Sequence, residues 1–187
     1  MVAGEGDSRR PAEATIDVAI ESPAWRRPGL AALVRRAARA ALADNRWYDE
    51  GVDFGAARLA VALVTDARVA TLNERYRGRS GPTNVLSFPA FAVAEMGAAF
   101  RAPRRVPLWL GDIAVADGVT AAEAAAAGRP LEHHLAHLVV HGTLHCLGHD
   151  HVEDAAAVEM EARERRILAR LGVPDPYRDA RKEAVGG

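Results

Sequence analysis

All seven histidines of this 187-residue chain lie between His133 and His151. The densest run reads His141-Gly-Thr-Leu-His145-Cys-Leu-Gly-His149-Asp-His151. Residues four apart on an α-helix share one face, about one turn apart. His141 and His145 can therefore give two imidazole nitrogens to one metal ion. On a continued helix His151 would point about 240° round from His145 and miss that ion. Gly148 removes the obstacle, because glycine is the favoured left-handed residue just past a helix end. The chain can then turn and return His151 to the same face. Three neutral nitrogen ligands with one open position form the pattern of a catalytic zinc site rather than a closed structural one.

The spacing equals that of the metzincin zinc-protease motif, with one difference. Gly142 stands where those proteases carry their general-base Glu. A metal-bound water can still ionise near neutral pH, but the carboxylate that manages its proton in peptide hydrolysis is missing. The pattern thus points to related metal geometry serving different chemistry. His137 lies one turn before His141 and is a partner of the ligands, a substrate contact or a partly buried polar residue. His149 and Asp150 fall in the turn, where Asp150 can orient a ligand imidazole or cap the turn. Cys146 projects about 100° from His145 and is expected to pack in the core. His133 and His134 are expected to face solvent.

A second group is basic with an aromatic at its centre: Arg75-Tyr76-Arg77-Gly78-Arg79, followed by Arg101, Arg104 and Arg105. Between Asp66 and Leu110 seven arginines face Asp66, Glu74 and Glu95, so the stretch carries +4 and the rest of the chain −5. Arginine suits phosphate because its planar fork is always charged, and tyrosine offers a stacking face to an unpaired base. A solvated face is the plain alternative, because 23 of the 24 basic residues are arginine throughout this chain.

Elements must position these groups. Ile16, Val18 and Ile20 alternate with polar residues, as in a half-buried strand. A helix is expected from Pro28 to about Ala43, a buried strand over Leu59–Val64, and a helix capped by Asp66 running to about Tyr76. Val85–Phe88 and Leu108–Val115 read as strands, with Phe91–Pro107 between them as a long loop. Helices follow over Asp117–Ala127, from Pro130 to about Leu147, and from Asp154 to about Leu171. This gives an α+β single domain: a small, mixed four-stranded sheet packed with about five helices, the metal site on a helix of the C-terminal half. Residues 1–13 are expected to be a disordered tail, 14–172 the metal-binding catalytic domain, and 173–187 a polar tail.

Composition narrows the function classes. At 49% hydrophobic and 26% charged residues the chain is an ordinary globular protein. A net charge of −1 gives no whole-molecule basic field. The lone Cys146 excludes an intrachain disulfide and fits a reducing cytosol. The polar first residues lack the apolar stretch of a secretory signal, and Arg9-Arg10 is followed by Pro11-Ala12-Glu13. No run approaches the roughly 20 apolar residues of a membrane span. A cytoplasmic protein without a membrane association is expected.

Four motifs recur in a known order: Leu72-Asn-Glu-Arg-Tyr-Arg77, Pro82-Thr-Asn-Val-Leu-Ser-Phe-Pro89, Leu110-Gly-Asp-Ile113, and the histidine run through Gly148, Asp150 and His151. Together they resemble the YbeY family of bacterial rRNA-maturation endoribonucleases, over about Ile16 to Leu171. The resemblance implies a single α+β domain holding one zinc ion on His141, His145 and His151, with water in the remaining position. It implies a single-strand-specific endoribonuclease acting in maturation of the 3′ end of small-subunit (16S) ribosomal RNA and in ribosome quality control. Its partners would be single-stranded ribosomal RNA, the small ribosomal subunit and its assembly factors. It also gives weight to Arg77 as the catalytic arginine. His149 stands where the family often has Tyr, and Asn84 where it often has Asp.

In this reading the metal polarises the phosphodiester or activates a nucleophile, and Arg77 stabilises charge on the phosphoryl oxygens. Proton transfer falls to His149, Asp150 or solvent, and either water or the RNA 2′-hydroxyl attacks. Arg75, Tyr76 and Arg79 are candidate substrate contacts. Two other classes stay open: a metallohydrolase of another substrate such as peptide, and a non-catalytic ribosome- or RNA-binding protein with a structural metal.

Overall fold

The parallel strands β1 (Thr15–Ile20) and β2 (Ala57–Val64) begin a sheet that continues with β4 (Leu108–Ala116), parallel to β2, and closes with β3 (Val85–Pro89), antiparallel to β4. The strand order is thus β1-β2-β4-β3. A computed structural model describes residues 14–44, 57–102, 107–149 and 154–178. Among them are six α-helices: α1 (Leu30–Ala43), α2 (Asp66–Arg77), α3 (Val93–Arg101), α4 (Asp117–Ala126), α5 (Leu131–Cys146) and α6 (Asp154–Arg170). No helix among the described residues is long and apolar enough to cross a membrane.

Alternation divides the sheet's two faces. Leu59, Val61 and Leu63 of β2 point with Ile113 and Val115 of β4 into the main core, against α1, α5 and α6. Val64, Ala114 and Ala116 point the other way, under Val69 of α2. The helix α5 is apolar nearly all round, with Leu135, Val139, Val140 and Leu144 fully buried. It packs beside α1 and against β3 and β4 of the sheet, and His141 and His145 lie at the β3 margin. The four strands and the helices expected over 28–43, 66–76, 117–127, 130–147 and 154–171 correspond to these elements.

Two local expectations differ. The segment 93–101 is the helix α3 rather than part of a loop. Only Met96 and Phe100 anchor it, one turn apart and buried, with Phe91 edge-on to Phe100 at 6.1 Å. Two anchors among alanines and Gly97 make too faint a period to stand out in sequence. The cap of α2 is Thr65, whose hydroxyl accepts from the Arg68 N–H at 3.3 Å. Asp66 caps a different helix: its Oδ1 accepts from the N–H groups of Gly118 at 2.8 Å and Val119 at 3.1 Å. Asp117 returns the contact by accepting from the Asp66 N–H at 3.2 Å. Burial pushes the Asp117 carboxyl up, but bonds from Ser22, Gly118 and Asp66 outweigh it and hold the group below the usual range. The two helices that follow β2 and β4 are thus locked at their N-termini by each other's first carboxylate.

Gly111 sits where β4 shifts register against Arg58 and Leu59 of β2. Its φ is +144°, and a Cβ there would lie 2.4 Å from the Phe88 carbonyl oxygen and 3.0 Å from the Cys146 sulfur. Gly111→Ala is therefore expected to destabilise the fold by about 2–3 kcal/mol, read as a lowered urea midpoint with an unchanged slope.

Candidate metal centre and cleft

Successive turns of α5 place His134, His137, His141 and His145 in a row. The Nε2 atoms of His141 and His145 lie 3.1 Å apart, with ring centroids at 4.6 Å. Two ligands of one tetrahedral zinc, each about 2.0–2.1 Å from it, would be roughly 3.3 Å apart. The pair therefore fits a shared metal ion. Gly148 adopts φ +82° and donates its N–H to the His145 carbonyl at 2.9 Å, so α5 ends at the expected left-handed glycine. His151 and Asp150 lie outside the described residues. Among the described residues no group of three His, Cys, Asp or Glu side chains is arranged for a metal ion.

Glu164 of α6 is a further participant, unforeseen in sequence. Its side chain is 1% exposed, yet it carries a charge. His141 Nδ1 donates to its Oε1 at 2.8 Å and His137 Nε2 to its Oε2 at 3.0 Å. The Tyr177 hydroxyl also donates to Oε2. Burial alone would raise this carboxyl, but the hydrogen bonds and charges of His137 and His141 outweigh it and hold it at about 2. A proton on His141 Nδ1 leaves its Nε2 lone pair bare for ligation. The sequence did hold a signal: Met160, Glu164, Ile167 and Leu168 follow helical spacing, so Glu164 falls on the buried stripe of α6.

His134 is buried rather than solvent-facing. Its Nε2 donates to Glu123 at 2.8 Å, and Glu123 in turn accepts from Asn84 at 2.9 Å. Burial lowers its pKa despite Glu123, which keeps the ring neutral. Cys146 is packed in the core, its thiol pushed up to about 12 by burial and by Asp112.

The two histidines open into a cleft of about 530 Å³, lined also by Arg77, Arg79, Ser87, Gly148 and His149. Gly78 at φ +62° ends α2, its N–H bonded to the Glu74 carbonyl at 3.1 Å, so Arg77 and Arg79 both reach this cleft. The basic cluster is divided at this point. Tyr76 faces a separate hollow on the sheet with Phe88, 5.3 Å away edge-on, and Arg75 lies 5.4 Å over its ring. Arg104 and Arg105 lie outside the described residues, and Arg101 at the end of α3 bonds its own helix at Gly97. Gly142 faces the sheet rather than the cleft's solvent: a Cβ there would meet Ile113 and Ser87 at 3.0 Å. Close packing of α5 on β3 and β4 thus explains the glycine at the position of a protease's Glu.

Comparison with known proteins decides the family. The model for Endoribonuclease YbeY matches residues 23–172. The chain belongs to the YbeY family. Relatives named Endoribonuclease YbeY include one from Rhodopseudomonas palustris strain BisB18, 48% identical over 164 residues, covering 87% of this chain and 92% of that protein. Another, from Jannaschia sp. strain CCS1, is 47% identical over 163 residues, covering 87% and 99%. The solution structure of TM1509 from Thermotoga maritima superposes with a TM-score of 0.54 at 22% identity, covering 90% of this chain and 93% of that one. That neighbour shares the fold.

The Glu164 charge makes stability depend on acid. Folding lowers its pKa from the ordinary 4.5 to about 2, so its contribution is complete above pH 4.5 and is lost as pH falls towards 2. Glu164→Gln is expected to lower stability by about 3 kcal/mol at pH 7. Urea unfolding at pH 7 and pH 3 should show the gap between wild type and variant narrowing by about half at the lower value.

Proposed function

We propose that this protein is a zinc-dependent endoribonuclease that cuts single-stranded RNA in the cleft between α2, β3 and α5. One observation carries the reading: the described residues lining the cleft include two arginines and three histidines and no carboxylate. That wall suits an anionic phosphodiester. It does not suit peptide hydrolysis, for which α5 would need a general base where Gly142 packs on Ile113. The name carried by its relatives supports an RNA substrate.

His141, His145 and His151 would hold one zinc ion, which supplies Lewis acidity to a bound phosphodiester. Glu164 keeps the proton on His141 Nδ1 and the ring turned towards His145. Arg77 binds the phosphoryl oxygens of the scissile bond and stabilises the charge that develops there. Arg79 holds a neighbouring phosphate, and the Ser87 hydroxyl on the cleft wall offers a further donor. His149, buried at the cleft wall, is the described group best placed to move a proton. Tyr76 and Arg75 lie round the β3 edge and meet the strand outside the cleft. The substrate proposed from the family is the 3′ region of small-subunit (16S) ribosomal RNA, with the small subunit and its assembly factors as partners in maturation and quality control. The cleft and its metal-holding histidines would lie within 14–172, acting in the cytoplasm.

The test is steady-state cleavage of a labelled single-stranded RNA, with metal content measured on the same samples. Arg77→Ala is expected to lower kcat/KM by about 10²–10³ with zinc retained, and Arg79→Ala by less, chiefly through KM. Loss of zinc in Arg77→Ala, or casein cleavage by the wild type, would contradict the assignment.

A further inference from the structure

Past α6 the chain turns at Gly172, with φ +75°, and runs back towards α5 over residues 173–178. Two contacts tie this strap down, and a third shapes it from within. Val173 is buried in the core and donates its N–H to the Leu168 carbonyl at 2.9 Å. Arg129, before α5, donates to the Pro176 carbonyl at 3.0 Å. The Tyr177 N–H donates to Asp175 at 2.9 Å. Tyr177 is thereby laid edge-on against the His137 ring, centroids 5.5 Å apart, with its hydroxyl on Glu164.

The two oxygens of Glu164 have different duties. Oε2 takes His137 and Tyr177, and Oε1 takes His141. His137 and His141 hold the two oxygens from one direction, the face of α5. A second donor on Oε2, brought by a different segment, fixes the plane of the group. Oε1 is then committed to His141 Nδ1. The Tyr177 proton is secure, because burial and the adjacent Glu164 charge push its pKa up. The chain of constraint therefore runs from Arg129 and Pro176, through Tyr177 and Glu164, to the tautomer and tilt of one cleft imidazole.

We propose that Tyr177 is a positioning residue of the metal centre, acting through Glu164 on His141, and that residues 173–178 are thus part of the functional site. This rests on the reading that His141 and His145 hold the metal. Partners of this kind typically change metal affinity about 10–100-fold when removed.

The test reads two quantities. Long-range proton–nitrogen NMR on metal-free protein reports which His141 nitrogen carries the proton. Competition with a chromophoric chelator reports zinc affinity. Wild type is expected to hold the proton on Nδ1. Tyr177→Phe is expected to give mixed tautomers at His141 and about tenfold weaker zinc binding, and Glu164→Gln a larger loss, up to about 100-fold. If Tyr177→Phe does not fold, Arg129→Ala frees the strap without touching the carboxylate and should move both quantities in the same direction. Wild-type tautomers and wild-type zinc affinity in Tyr177→Phe, at any melting temperature, would overturn the role of Tyr177 alone. A wild type with the Nδ1 proton but no zinc affinity would overturn the metal reading and the positioning role with it.

Discussion

A buried carboxylate must be compensated, and Glu164 sets the terms for everything around it. Leaving such a charge unpaired in the interior would cost several kcal/mol. Three donors prevent that, and they come from two directions: His137 and His141 on α5, and Tyr177 on the segment after α6. Satisfying the charge therefore fixes α6 against α5 and fixes the His141 imidazole with its Nδ1 on Glu164 and its Nε2 towards His145. Stability and site geometry are here the same interaction.

The sheet supplies the other half of the arrangement. Gly142 lets α5 lie so close to β3 and β4 that an added methyl group would touch Ile113 and Ser87. The histidine stripe consequently opens beside β3, where Ser87 lines the cleft. The left-handed turn at Gly78 then brings Arg77 and Arg79 to the opposite wall. Apolar burial of α5 on its other faces makes this placement unavoidable, because any rotation of the helix would expose Leu144 or Val140. The cleft's cationic and imidazole lining follows from packing constraints rather than from local preference.

Much of this was legible in sequence for identifiable reasons. The His141–His145 spacing, the Gly148 turn and the four strands depend on local periodicity and on the special backbone of glycine, both readable along a chain. Glu164 was not, because it sits in Glu159-Met-Glu-Ala-Arg-Glu164-Arg-Arg166, where six of eight residues are charged. Helical spacing with Met160, Ile167 and Leu168 marks its face as buried, but nothing local names its partners on α5 and after α6. The division of the basic cluster was hidden for a similar reason: Tyr76 and Arg77 are adjacent in sequence but about 100° apart at the end of α2. One faces the sheet hollow and the other the cleft. The helix α3 escaped because two anchors do not make a period, and His134 because its partner Glu123 lies on another helix.

In the proposed function, RNA cleavage depends on a metal held by the α5 histidines. The most direct measurement is to strip the protein of metal, return zinc in known equivalents, and follow cleavage of a labelled single-stranded RNA for wild type and His145→Ala. Wild-type activity is expected to rise with zinc and saturate near one equivalent, while His145→Ala binds no zinc tightly and stays inactive. Equal cleavage by the two proteins, or wild-type cleavage indifferent to zinc, would contradict it.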